Sequence, residues 1–197
     1  MKFNLKGKNM RMKISIWGLG LLMLIGSRVF AQGAAASAVA APSLGVEAGI
    51  NLANLNGQNV NDVIGSRLGF VGGGYVNLPL TAGLAFQPEV LYEQKGGKIN
   101  GNAYQLDYIE VPVLLDITFG VPVLNPGILL GPTFDANVFN SGLSNLNSAD
   151  VGLMGGVQVN LAQFLVSGTY EVGLTDVSSS QKVQNGTFTF LVGLSFL

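Results

Sequence analysis

The sequence predicts an all-β fold, an eight-stranded antiparallel up-and-down transmembrane β-barrel preceded by a cleavable signal peptide. Three observations carry that expectation. Eight segments beyond residue 43 alternate bulky apolar residues with small or polar ones, the period of two that a half-buried strand requires. Charged residues in the cores of those segments share the polar parity. The joins between segments alternate between short and long, as expected where turns sort to one side of a membrane and loops to the other.

The leader comes first. Lys2, Lys6, Lys8, Arg11 and Lys13 precede an apolar run from Ile14 to Ile25, and Val29-Phe30-Ala31 offers a small residue for cleavage, so residues 1–31 read as an export signal. The run falls short of the about 20 apolar residues a spanning helix needs. Arg28, in the cleavage approach, keeps an uncleaved anchor as the alternative, and Met10 and Met12 offer later starts. Six of the ten basic residues belong to this leader and all eleven acids lie beyond it, which leaves a net charge of −7 on the rest. The acidic balance and the lack of a basic cluster argue against nucleic acid or anionic lipid as partners. Cysteine and histidine are both absent, which removes disulfides, thiolate or His-ligated metal sites and Ser-His hydrolysis, and no cofactor is expected.

Residues 32–43, Ala-rich and uncharged, read as a flexible lead-in, and residues 44–197 as the barrel domain. The first strand, Leu44 to Leu52, sets Leu44, Val46, Ala48, Ile50 and Leu52 against Gly45, Glu47, Gly49 and Asn51. The second, Arg67 to Asn77, opposes Leu68, Phe70 and Val76 to Arg67, Gly73, Tyr75 and Asn77. In the third, Leu84 to Lys95, Phe86, Val90 and Tyr92 face away from Gln87, Glu89, Glu93 and Lys95. The fourth, Tyr108 to Phe119, opposes Ile109, Val111, Val113 and Leu115 to Glu110 and Asp116. The fifth, Gly127 to Val138, places Ile128, Leu130 and Phe134 opposite Thr133 and Asp135. The sixth, Asp150 to Asn160, and the seventh, Phe164 to Leu174, continue the pattern with Leu153 and Val157 against Gln158, and Val166 and Tyr170 against Glu171. The eighth puts Phe188, Phe190, Val192, Leu194 and Phe196 on one face and Thr187, Thr189, Gly193 and Ser195 on the other, with Leu191 as the exception.

Two local features qualify the pattern. Pro88, Pro112 and Pro132 interrupt three successive strands, and each removes a ladder donor, so a bulge or local twist is expected at each. The uncharged stretch from Ile117 to Phe134 is long enough for a membrane helix, but Gly120, Pro122, Asn125, Pro126 and Gly127 break its middle and predict a hairpin. Short joins fall at 78–83, 120–126 and 161–163; longer ones, rich in Asn, Ser and Gly, fall at 53–66, 96–107, 139–149 and 175–186.

Which solvent meets the greasy face decides the class. A secreted soluble barrel or sandwich would turn that face inward and expose a lysine-rich surface. Here the polar face is small and nearly lysine-free, which suits a narrow lumen filled by side chains. A basic side chain facing lipid near the midplane costs about 2 to 4 kcal/mol, so a membrane barrel must keep the charged parity clean. Phe86, Tyr92, Phe119, Phe164 and Phe196 lie near strand ends, where interfacial girdles form.

Gln87-Pro-Glu-Val-Leu-Tyr-Glu-Gln-Lys-Gly96, then Leu106-Asp-Tyr-Ile-Glu-Val-Pro-Val-Leu-Leu115, with Gly131-Pro132 and Asp150-Val-Gly152 in order, resemble the PorT-like outer-membrane β-barrel family of Bacteroidetes-type bacteria. The resemblance spans residues 44–197 and implies a small antiparallel barrel of the outer membrane that tolerates prolines at those positions. It implies no reaction. Asp116 and Thr169 stand where such proteins often carry Lys and Arg, so this lumen is more acidic than is usual for the family.

The charged lumen residues form the candidate site: Glu47, Arg67, Glu89, Glu93, Lys95, Glu110, Asp116, Asp135 and Glu171. A structural charge network is the expected role; an acidic path for cations is the alternative. Glu89, Glu93 and Glu110 invite comparison with a catalytic carboxylate pair, but no nucleophile with an activating base stands beside them, so no enzyme is expected. Glu93 to Gly97 and Asn185-Gly-Thr187 need only be turns. The expected function is a structural or surface-interaction barrel; the alternatives are a narrow cation-preferring channel or a secretion-associated component. Expected partners are outer-membrane lipid, the insertion machinery through the closing strand, and an extracellular or secretion partner at the loops.

Overall fold

Alternating sequence becomes sheet at every expected position. The structure, a computed structural model, describes residues 41–57, 64–99, 102–120, 124–140, 148–175 and 183–196. The expected leader and most of the lead-in lie outside the described residues. Nine strands occur among the described residues: β1 (Ser43–Gly57), β2 (Ile64–Gly65), β3 (Arg67–Thr81), β4 (Leu84–Ile99), β5 (Asn102–Thr118), β6 (Asn125–Asn140), β7 (Ala149–Leu161), β8 (Phe164–Gly173) and β9 (Val183–Phe196).

All pairings are antiparallel; with the two-residue β2 set aside, each strand pairs with its neighbours in the chain, and β1 meets β9 from Leu44↔Phe196 to Gly57↔Val183. With β4 also paired to β5, the sheet closes on itself as an eight-stranded barrel; β2 is a two-residue annex on the outer end of β4. Closure leaves no open edge through the wall, the condition for crossing a bilayer with strands.

The faces answer the solvent question. Leu68 is 64 % exposed, Val157 62 % and Phe190 44 %, whereas Glu93 and Glu110 are buried. A closed sheet with its aliphatic and aromatic side chains outside and its carboxylates inside is built for lipid, and the soluble alternative would need the reverse.

The turns and strands at the loop end differ from the sequence reading. The hairpins Ala82-Gly83 and Ala162-Gln163 are two residues long, with Gly83 at φ +85° and Ala162 at φ +53°. Ile117 pairs with Ile128 and Thr118 with Gly127, which makes the uncharged stretch a hairpin as expected. The long join expected at 96–107 is instead mostly strand, with Lys95↔Leu106 and Ile99↔Asn102 in register. Once β4 and β5 are paired, each further residue adds ladder bonds without a new loop-closure cost, so the hairpin lengthens through Gly96 and Gly97 despite their weak strand preference.

The prolines also behave differently from expectation. Register shifts fall at Pro79/Thr81 and Asp107/Tyr108, and none falls at Pro88, Pro112 or Pro132. Each of these three instead coincides with two missing pairs on one side only: Pro88 towards β3, Pro112 towards β4 and Pro132 towards β5. A strand residue directs its N–H to a single neighbour, so proline forfeits one bond and the opposite ladder holds the register.

At the third gap the backbones crowd. A Cβ on Gly131 would run into the Val113 carbonyl oxygen. Gly131→Ala should therefore destabilise the barrel by about 1 to 3 kcal/mol. Gly168→Ala, whose Cβ would meet Phe188 Cζ at 3.9 Å, should change little. Urea unfolding in detergent micelles compares the two; equal stability would refute the close-approach account.

Candidate functional site

On β4 the lumen-facing residues run Gln87, Glu89, Leu91, Glu93 and Lys95 from the short-turn end outward. That order recurs around the wall as three layers: a polar layer, an apolar one, then a charged cage. All nine predicted charged residues lie on this inner parity, but they do not form one network.

The cage centres on Lys95, which is 0 % exposed. Its Nζ lies 2.5 Å from Glu171, 2.6 Å from Glu110 and 3.2 Å from both Glu93 and Asp135. The Tyr108 ring lies 5.6 Å away on its cation-binding face. Outer bonds fix the carboxylates: Asn51 Nδ2 and Thr189 Oγ1 donate to Glu93 at 2.7 and 3.2 Å, and Thr133 Oγ1 donates to Glu171 at 2.8 Å. Side chains from β4, β5, β6 and β8 thus converge on one ammonium, and β1 and β9 hold Glu93 in place.

Carboxylate oxygens of Glu93, Glu110 and Glu171 lie within 4.8 Å of one another, a spacing that would suit a metal ion. Lys95 already reaches all three, so the cation of this cage is a side chain. Chemically the arrangement gathers four carboxylates on one ammonium and rigidifies the wall; it presents neither an activated nucleophile nor an open ligand position.

Below the cage the lumen turns apolar. Val71, Leu91 and Leu191 form one buried cluster and Leu114, Leu129 and Met154 another. Leu91 separates Glu89 from Glu93, Leu114 separates Asp116 from Glu110, and Leu191 separates Ser195 from Thr189. The space left within this septum is about 10 Å³, no more than about one water molecule needs.

The lower polar layer holds the remaining predicted acids. Asn77 Nδ2 donates to Gln87 at 2.9 Å and to Asp116 at 3.0 Å, and Gln87 Nε2 donates to Glu89 at 2.9 Å. Glu47 is buried in the same half. Arg67 stands apart at the loop end, where its guanidinium donates to the Lys95 carbonyl at 3.0 Å and to Gln105 at 2.9 Å. The single network expected from parity is therefore an upper cage, a lower acidic layer and a separate rim arginine, because the apolar septum divides the lumen.

The sequence reading noted Leu191 as an exception and passed over its counterparts. The signal is present: β3, β4, β5, β6, β7 and β9 each carry Val71, Leu91, Leu114, Leu129, Met154 or Leu191 at the inner parity. Asp107 and Asp150 were also missed, and both are buried near the loop end. Asp107 lies on the outward parity beyond the strand core and accepts from Tyr92 and Gln105, both at 2.7 Å.

Residues 30–179 match the family described as the outer membrane protein beta-barrel domain. No curated protein matches the sequence. Solved structures similar to this one include Ail, the attachment invasion locus protein of Yersinia pestis, at 13 % identity and TM-score 0.46, covering 80 % of this chain and 100 % of that one. Neisserial surface protein A shares 16 % identity at TM-score 0.49, with 80 % and 100 % covered. The outer membrane protein OprG from Pseudomonas aeruginosa shares 9 % identity at TM-score 0.52, with 80 % and 97 % covered, a likeness of fold.

Removing the ammonium leaves four carboxylates facing one another. Lys95→Met should destabilise the barrel by about 3 to 5 kcal/mol, the usual cost of stripping one partner from a buried pair. Glu110→Gln should cost less, because it also relieves repulsion. Unfolding free energies in micelles decide this, and a Lys95→Met barrel as stable as the parent would overturn it.

Proposed function

The chain belongs to the outer membrane protein beta-barrel domain family, and on that basis we propose that it is a sealed barrel with a structural or surface-interaction role and no catalytic activity. Family membership implies the bacterial outer membrane, with the aliphatic exterior in lipid. The observation that carries the sealed reading is the double closure of the lumen, by the apolar septum and by the caged Lys95.

Finer features of the proposal rest on the residues. Export through residues 1–31, with cleavage near Ala31, is supported by the charged and apolar leader. A place among PorT-like barrels of Bacteroidetes-type bacteria is supported by the Gln87 to Gly96 and Leu106 to Leu115 wording. The Phe188 to Phe196 face of β9 is the element offered to the insertion machinery, and the long joins are where an extracellular or secretion partner would bind. Absence of catalysis is supported by the missing histidines and by a cage without a nucleophile.

The alternative, a narrow cation-preferring channel, draws on the acid excess of the lumen. Planar-bilayer recording separates the two readings: the purified barrel should show no conductance steps. Cation-selective steps altered by Glu110→Gln would establish the channel instead. Recovery from the soluble periplasmic fraction without detergent would overturn the membrane placement.

A further inference from the structure

The septum is apolar on β3, β4, β5, β6, β7 and β9, but polar on β8. There Ser167 stands directly opposite Leu191 in the register and Thr169 opposite Thr189, and both β8 side chains are buried in the lumen. The void of about 10 Å³ lies against this hydroxyl seam, and its lining includes Glu89 from below and Glu93 and Glu110 from above. A buried water needs about 10 to 15 Å³ and about three polar partners, so the void has the size and the chemistry to hold one. Glu110 is 0 % exposed; its Oε2 lies against Lys95, whereas no donor reaches its Oε1 in hydrogen-bonding geometry.

Carboxyls continue from this void towards both ends of the barrel. Below it, Glu89 on β4 lies within hydrogen-bonding reach of Glu47 on β1, and Tyr75 on β3, which lines the short-turn opening, lies near both. Above it, Glu93 reaches Glu110 on β5, and Glu171 on β8 reaches Asp135 on β6. Asp135 pairs across the strands with Asp150 on β7, whose Oδ1 lies 3.5 Å from the hydroxyl of Thr175 at the exposed loop end. An ionised carboxylate only accepts, so two carboxyls in contact hold a proton between them. Lys95 is the cation in contact with this column, and it touches the upper groups alone.

We propose that the barrel passes protons while excluding hydrated ions, through one water that sits in the septum void beside Ser167 and Thr169 and joins Glu89 to Glu110. The Glu89 carboxyl gives its proton to the water, and the water gives one of its own to the Glu110 carboxylate. Glu89 is left ionised, Glu110 is left protonated, and the water is neutral again. Reorientation of the water and the two hydroxyls resets the path, and the proton gradient sets the direction. A hydrated ion cannot enter a void of this size, whereas a proton crosses it by exchanging bond partners. The inference rests on the sealed reading for its exclusion of ions.

The test reconstitutes the purified barrel into liposomes that hold a trapped pH-sensitive dye, with valinomycin and a potassium gradient setting the potential. Acidification should run faster than in protein-free liposomes. Glu110→Gln, which removes the acceptor carboxylate, and Ser167→Leu, which fills the void, should each slow it about tenfold or more. Thr169→Val removes a hydroxyl at constant shape; it should also slow acidification, and it serves if either of the others does not fold. Acidification no faster than in protein-free liposomes, or unchanged in the variants that fold, would overturn the proposal and leave the sealed reading intact. Potassium conductance in planar bilayers at constant pH would overturn the sealed reading, and the exclusion of ions with it.

Discussion

A bilayer core offers backbone N–H and C=O groups no partner, and this constraint governs everything else in the molecule. A sheet can meet it only by closing, which β1 and β9 accomplish along Leu44↔Phe196 to Gly57↔Val183. Closure with eight strands sets a lumen too narrow to stay open and too wide to be left unfilled. The same constraint explains how three prolines persist in the wall. Each gives up bonds on one flank while the opposite flank keeps the register, so the ladder is thinned without being displaced.

Filling the lumen uses two kinds of chemistry in separate layers. Near the loop end, charged side chains from four strands meet at the Lys95 ammonium, where low polarity strengthens each attraction and makes each unpaired charge costly. Beneath it, six aliphatic and thioether side chains pack without any polar demand. The layers are complementary: the septum seals the lumen below the cage, and the caged ammonium holds four carboxylates together at one point. Among the described residues the short-turn half has no such counter-charge, and of its three carboxylates Asp116 lines the opening at that end.

Much of this was legible in the residues. Strand positions, the inner placement of Glu47 to Glu171, the closing seam and the hairpin inside Ile117 to Phe134 follow from alternation, because a strand has only two faces and parity is a local property. Extension of β4 and β5 through Gly96 and Gly97 was not legible, since neither glycine favours a strand until its partner is in place. The harmless prolines were equally opaque, because their cost depends on which neighbour the lost N–H would have faced.

The sequence by itself determined the two faces, the number of strands and the sign of the lumen charge, all of which depend on neighbours within a few positions. Only the tertiary structure decided that the acids divide into two groups, that four of them share one lysine and that Arg67 joins neither group. Those outcomes depend on the height at which each residue meets its counterparts across the barrel, and that height is set by the stagger of eight closed strands, which no single segment encodes.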